Sequence, residues 1–485
     1  MWNLKKQRLR PLIRKGTLGL CISFLSACGT TSTIHSAKTD FDASVPSEWQ
    51  QSSASRAVLD THALSQWWLR FGDSQLESLI KEALANNPDI RSALSSIRIA
   101  RAERGLEQSQ LWPTLSANIS AVDIHTRDRD SDRSTNETNY NGNIDASWEV
   151  DLFGKQQQYL KAADAELAAA TDDFHQVQVS LAAEVAGTYL SLCSFEAQLK
   201  IVQTSVATRE ITLQISQWEE QAGEGDALNT QQSIASAEQA RAQIPDLEQS
   251  ILETRNSLAV LTGRTPQSLQ AQLQQFKQFP ALPESIAVGI PAETLRQRPD
   301  VRAAENAILA AQSQLTAAQR SRLPSLTLSG SIGLDALSVG DFIDPQFIIS
   351  QLAAGLSAPI LNAGQISRNI KVQAELLEQA YIRYENAVLT SLSEVENALS
   401  AIQKRNQQLA TLERASAAAK QAAELAQMQY EAGEADLLTV LDAQRTELGL
   451  DQSRISTHAQ VLNAHVQLYK SLGGGWFVPT TVAQG

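Results

Sequence analysis

Residues 365–431 contain neither glycine nor proline. Along them Tyr381, Val388, Val395, Ile402 and Leu409 recur every seven residues, and Leu392 and Leu399 each follow one of these by four. That spacing marks a helix whose apolar stripe needs partner helices on one face. At 1.5 Å per residue the helix would be roughly 100 Å long. A different period rules residues 143–153, NIDASWEVDLF. Ile144, Ala146, Trp148, Val150 and Leu152 alternate with Asn143, Asp145, Ser147, Glu149 and Asp151. Period two predicts a strand with one polar and one apolar face. TLSANISAV (114–122) alternates less cleanly, and PSLTLSGSIGL and FIISQLAAGLSAPI give two more strand candidates. Between the first pair lies HTRDRDSDRSTNETNYNG, read as a polar loop, and a second loop is expected near Asp335–Asp344.

The pattern occurs twice. NNPDIRSALSSI (86–97) matches QRPDVRAAENAI (297–308), and LWPTLS (111–116) matches RLPSLT (322–327). Gly154 aligns with Gly364, Glu184 with Glu394, and Gly263 with Gly473. QAGEGDAL (221–228) aligns with EAGEADLL (431–438). An offset of 210 to 211 residues sustained over this span marks a direct duplication. Each unit, 75–265 and 285–475, predicts the same order. A helical segment (75–111; 293–322), restarted at Pro88 or Pro299, leads to two strands. A very long helix (155–220; 365–431), a glycine turn and a final helix (227–262; 436–472) complete the unit.

Composition fits long thin helices. Aromatics make up only 5% of the 485 residues, while alanine and glutamine, which favour helix and fill little core, are abundant. The first 27 residues hold six bases and no acid; the rest carries 34 bases against 53 acids. A nucleic-acid-binding patch is therefore not expected, whereas an acidic surface or channel is. MWNLKKQRLRPLIRKG followed by TLGLCISFLSA reads as the basic and apolar regions of a signal peptide, too short to span a bilayer. It ends in Leu25-Ser26-Ala27-Cys28, which resembles a bacterial lipobox; a plain secretory signal with an incidental cysteine is the alternative. Cys193, alone in a helical stretch, reads as a small buried apolar residue. No later run of 18 apolar residues occurs, so a crossing of the membrane would have to use strands. Strands of nine to eleven residues suit a tilted barrel, with Trp112 and Trp148 as interfacial aromatics. Four strands cannot close a barrel alone, so copies would have to associate. A soluble two-sheet cap on a helical bundle is the other reading of the same strands.

Catalytic and metal motifs are absent: no HExxH, no Walker A loop, no GxGxxG, and GLSAP (355–359) lacks the last glycine of a nucleophile elbow. No enzyme activity, metal site or cofactor is expected beyond a covalent lipid on Cys28.

PDVRAAENAILAAQSQLTAAQRSRLPSLTLSGSIG, ASWEVDLFGK, IPDLEQSILETRNSLAVLTG and YEAGEADLLTVLDAQ together resemble the TolC-type outer-membrane efflux proteins, over residues 60–475 in order. With Cys28 the chain is most similar to the lipoprotein branch that serves tripartite efflux pumps of the RND class. The resemblance implies an α plus transmembrane-β fold. It implies a long coiled-coil α-barrel in the periplasm and a trimer that shares a twelve-stranded β-barrel, four strands per chain. It implies a passive exit duct for small molecules, partnered by a periplasmic adaptor and an inner-membrane RND transporter. Residues 1–27 would be the signal peptide, 28–74 a lipid-anchored extended segment, 266–284 a linker and 476–485 a tail. Carried over position by position, Asp442 would form an acidic gate ring and Leu438 an apolar ring one turn earlier. Thr439 stands where some members have a second Asp, which puts that ring in doubt. The first-unit counterpart of Asp442 is Gln232, so the acid belongs to one unit. Three such carboxylates brought together repel when ionised; without the resemblance, Asp442 reads as an ordinary solvated helix residue. Gly223 and Gly433 mark the helix tips where the family meets its adaptor. A type I protein-secretion duct and a coiled-coil structural lipoprotein of the envelope are the alternatives.

Overall fold

The computed structural model describes Trp49 and residues 64–127, 134–270, 273, 278–282, 295–336 and 348–476. Cys28, the bulk of the 28–74 segment and the tail beyond Trp476 lie outside the described residues.

After a short 3-10 turn (Trp67–Phe71), the first half runs α1 (Ser74–Asn86), α2 (Pro88–Ser109), β1 (Thr114–Arg127), β2 (Ser134–Val150) and α3 (Lys155–Ala222). It continues with α4 (Ala227–Arg241), α5 (Gln243–Leu261) and the short α6 (Pro266–Gln270). The second half runs α7 (Pro299–Arg320), β3 (Ser325–Ala336), β4 (Ile348–Ser357), α8 (Gln365–Glu431) and α9 (Leu437–Ser471). The long helices α3 and α8 hold 68 and 67 residues without a break. Each starts after a glycine in the left-handed region, Gly154 or Gly364. Among the described residues no helix is long and apolar enough to cross a membrane.

Prolines stand in the first turn of α2 and α7. Asn87 caps α2, its Oδ1 accepting from the Asp89 N–H at 2.7 Å, with Pro88 in the first turn. The expected single helix 227–262 is instead two, α4 and α5, meeting at Ala242. Pro245 explains the break: it has no N–H to give the Arg241 carbonyl, and its ring crowds that carbonyl. The second half has Ile455 at the matching position, and α9 runs through.

The four strands form one antiparallel sheet in the order β1-β2-β3-β4. Thr114 pairs with Ser147, Val150 with Leu326, and Ser325 with Ser357. All four connections to helices therefore leave from one end of the sheet. The expected polar loop from 125 to 142 is largely strand: β1 reaches Arg127 and β2 begins at Ser134. At 17 residues β2 exceeds the nine to eleven that cross a bilayer. Its Ser, Thr and Asn positions satisfy their backbone through the ladder and need no apolar surroundings. The core lies in the helices, where Trp67 stacks on Tyr469 with ring centres 5.2 Å apart, beside Phe71, Leu76, Ile80, Leu190, Leu258 and Leu462.

Candidate functional site

The far ends of the long helices carry the predicted site. At the first, α3 ends on Gly223, φ 76°, and the Glu219 carbonyl accepts from the Glu224 and Gly225 N–H groups at 2.9 and 3.0 Å. At the second, α8 ends at Ala432, followed by Gly433 with φ 74°. There the Gln429 carbonyl accepts from Glu434 at 2.8 Å and Ala435 at 3.2 Å. A Cβ on Gly223 or Gly433 would meet nothing within 4 Å. Both glycines are there for the left-handed turn alone.

The next helix then starts on an acid. Asp436 caps α9, accepting from the Thr439 N–H at 2.9 Å and its hydroxyl at 2.6 Å. These bonds, hydroxyl first, hold the Asp436 carboxyl below the usual carboxylate range. Thr439 is thus a capping partner. One face of α9 is packed: Leu437, Val440 and Leu441 join Ala426 and Tyr430 in a small apolar cluster. The opposite face presents Leu438 and Asp442, one turn apart and exposed. Asp442 accepts from Arg445 Nη1 at 3.1 Å, both side chains being 64% exposed.

Three features of this end were invisible in the sequence pattern. Tyr430 donates its hydroxyl to Glu219 Oε2 at 2.5 Å, joining α8 to α3 just before the two tips. Burial, then the Glu219 carboxylate, pushes the Tyr430 hydroxyl far up. Arg209 is buried on Ser205 and Ser236 rather than on a carboxylate. Burial, then the nearby Arg445 charge, pulls its pKa down. Trp218 stands 60% exposed one turn before the first tip, and its counterpart by the 210-residue offset, Met428, is exposed as well. Small residues let the helices approach closely here: Ser216 and Ser233 hydroxyls lie 2.9 Å apart, and Gln444 donates to Thr212 at 3.0 Å. Cys193 is buried, as expected of a small apolar residue, and burial pushes its thiol up to about 12. Among the described residues no group of three or more His, Cys, Asp or Glu side chains could hold a metal.

Long paired helices with turned tips on one side, joined to a small sheet on the other, are the frame of a duct. The model of the outer membrane efflux protein family matches residues 79–264 and 290–474. The chain belongs to the outer membrane efflux protein family. The pyoverdine export outer membrane protein OpmQ of Pseudomonas aeruginosa is 34% identical over 465 residues, 93% of this chain and 95% of that protein. The toluene efflux pump outer membrane protein TtgF of Pseudomonas putida is 29% identical, covering 90% of this chain and 92% of its own length. The solved outer-membrane channel OprN superposes with a TM-score of 0.83 at 28% identity, over 89% of this chain and 97% of that one. This outer membrane efflux protein therefore has the TolC-type fold, with its helices in the periplasm and its sheet in the outer membrane. It is the outer-membrane channel component of an efflux system, and the family is one of ducts, not a class of enzymes.

Proposed function

We propose that the chain assembles as a homotrimer. Its twelve strands close one barrel, and its helices form a passive exit duct for small molecules, gated at the periplasmic tips. The relatives support small cargo: one is named for pyoverdine and another for toluene. Cargo that differs so much in polarity and size argues that the transporter, not the duct, selects it. The observation that carries the gate reading is the split surface of α9. Leu437, Val440 and Leu441 pack inward, while Leu438 and Asp442 are exposed, with no covering element among the described residues. In a trimer this face meets its copies, placing Asp442 as an acidic ring and Leu438 as an apolar ring, with Thr439 serving the cap. Arg445 softens the repulsion among the three acids.

In the same reading residues 1–27 are removed, Cys28 carries a lipid, and units 75–265 and 285–475 flank a linker at 266–284. No other cofactor takes part. The tips around Gly223 and Gly433 contact a periplasmic adaptor, which joins the duct to an inner-membrane RND transporter. A photo-crosslinking residue at Glu224 or Glu434, in cells expressing the whole system, is expected to capture the adaptor. Capture of none from either tip, with the protein correctly in the outer membrane, would refute the tripartite assignment.

A further inference from the structure

Three of the four links between sheet and helix are short: residues 110–113, 151–154 and 321–324. The fourth, residues 358–364 after β4, is three residues longer. Its apolar residues touch almost nothing in their own chain. Ile360 is 98% exposed and Leu361 92%, the two most exposed large apolar side chains among the described residues. By the 210-residue offset, Ala358, Pro359 and Ile360 stand where the first half has Trp148, Glu149 and Val150. Those three are strand, paired with Leu328, Thr327 and Leu326 of β3. Their counterparts have no such partner, because β4 is an edge of the sheet and its ladder to β3 ends at Ser357.

The other edge is β1. At the same helix-bearing end it begins after Trp112, 68% exposed, and carries exposed Leu115. β4 runs toward this end and β1 runs away from it. A β4 edge laid on the β1 edge of a second copy thus continues the antiparallel order of the sheet. Open edges are not tolerated in a bilayer. Pro359 has no N–H, so at this level the contact is made by side chains and not by the ladder.

We infer that Ile360 and Leu361 of one copy pack against Trp112 and Leu115 of the next, sealing the seam between subunits at the periplasmic base of the barrel. The inference rests on the proposed trimer and names its contact. It commits to a second copy rather than to lipid because the exposed link directly continues the unpaired edge of β4. The three short links bear no large apolar side chain so bare.

The test is a disulfide trapped in membranes. Trp112→Cys with Leu361→Cys, and as a second pair Trp112→Cys with Ile360→Cys, are oxidised and run without reductant. Within one chain the two edges lie three strand spacings apart, roughly 14 Å, beyond the reach of a disulfide. Any bridge therefore joins copies. The expected result is a ladder ending at three copies in both pairs. Single-cysteine controls, and Trp112→Cys with Leu323→Cys beside the interior strand β3, give none. Amine crosslinking is run in parallel on the wild type. A trimer by amine crosslinking without a ladder in either cysteine pair overturns the seam and leaves the trimer standing. In that case labelling of Leu361→Cys by a lipid-soluble thiol reagent would assign the link to the bilayer. No trimer by either method overturns the trimer reading, and the seam with it.

Discussion

The two halves of the chain share an element order but not the chemistry at matching positions. At the start of its first long-range helix contact, the first half uses Asn87, whose amide donates to the Leu261 carbonyl at 2.9 Å. The second half uses Arg298, buried, which donates to the Ser471 carbonyl at 2.9 Å and also holds Asp300 and Glu394. The first half breaks its returning helix at Pro245, whereas the second keeps α9 whole from Leu437 to Ser471. The first tip is followed by Gln232, the second by Asp442 with Arg445. Duplication preserved the scaffold of helix, strands and tip, where sterics dictate the residue. It released the positions where one copy could take on charge. At both of these matched positions, Asn87 against Arg298 and Gln232 against Asp442, the charge stands in the second half, and the candidate gate lies there.

That contrast is open to direct attack. Arg298→Ala removes a buried guanidinium and strands two carboxylates and a helix-end carbonyl, so it should cost about 3 kcal/mol of stability. Asn87→Ala, losing a cap and one amide bond, should cost nearer 1 kcal/mol. Denaturant unfolding of the detergent-solubilised protein compares them, and equal losses would erase the asymmetry. The matched glycines order the other way. A Cβ at Gly263 would lie 2.5 Å from the Asn86 carbonyl oxygen, but one at Gly473 lies 3.2 Å from Arg298 Cα. Both have φ above 70°. Gly473→Ala should cost about 1–2 kcal/mol from the left-handed backbone alone. Gly263→Ala should cost more in the same assay, since backbone has to move.

Smaller still is the effect of the tip bond. Tyr430→Phe should leave the fold intact and loosen the pairing of α8 with α3, seen as faster hydrogen exchange around Gln429 and Glu220. Unchanged exchange would mean the apolar cluster alone holds the tips together. The smallest effect belongs to the caps. Asp436, with a depressed folded pKa, stabilises the start of α9 above its unfolded pKa and loses that contribution as pH falls through the folded value. Protection of the amides at the start of α9, relative to their intrinsic exchange rates, should therefore fall below about pH 4, and Asp436→Ala should show the low protection at every pH. Asp226→Ala at the first tip removes a single bond of 3.2 Å to Leu228 and should change less.

The sequence made the second long helix legible because apolar residues recur every seven positions from Tyr381 to Leu409 and no glycine or proline interrupts the 67 residues of α8. Gly223 and Gly433 were legible as turns because each interrupts a helical run at the same place in its unit. Pro245 stands in plain sight, but the helical pattern on both of its sides predicts a helix straight through it. The length of β2 was not legible, because strand made of Ser, Thr and Asn carries no hydrophobic alternation. The Tyr430–Glu219 bond joins residues 211 apart. Only the folded pairing of α3 with α8 brings it into existence. Arg445 lies three residues from Asp442 in plain sight, but its pairing depends on both facing away from the packed side of α9.

The proposed trimer rings the periplasmic end of its duct with Asp442. Purified protein in planar bilayers, under a salt gradient, measures it most directly. A ring of carboxylates favours cations. The account predicts discrete pores with a cation-selective reversal potential, blocked by a trivalent cation added on the periplasmic side. Asp442→Ala should shift that potential toward zero and abolish the block. Absence of pores, or a reversal potential and block that Asp442→Ala leaves unchanged, would contradict it.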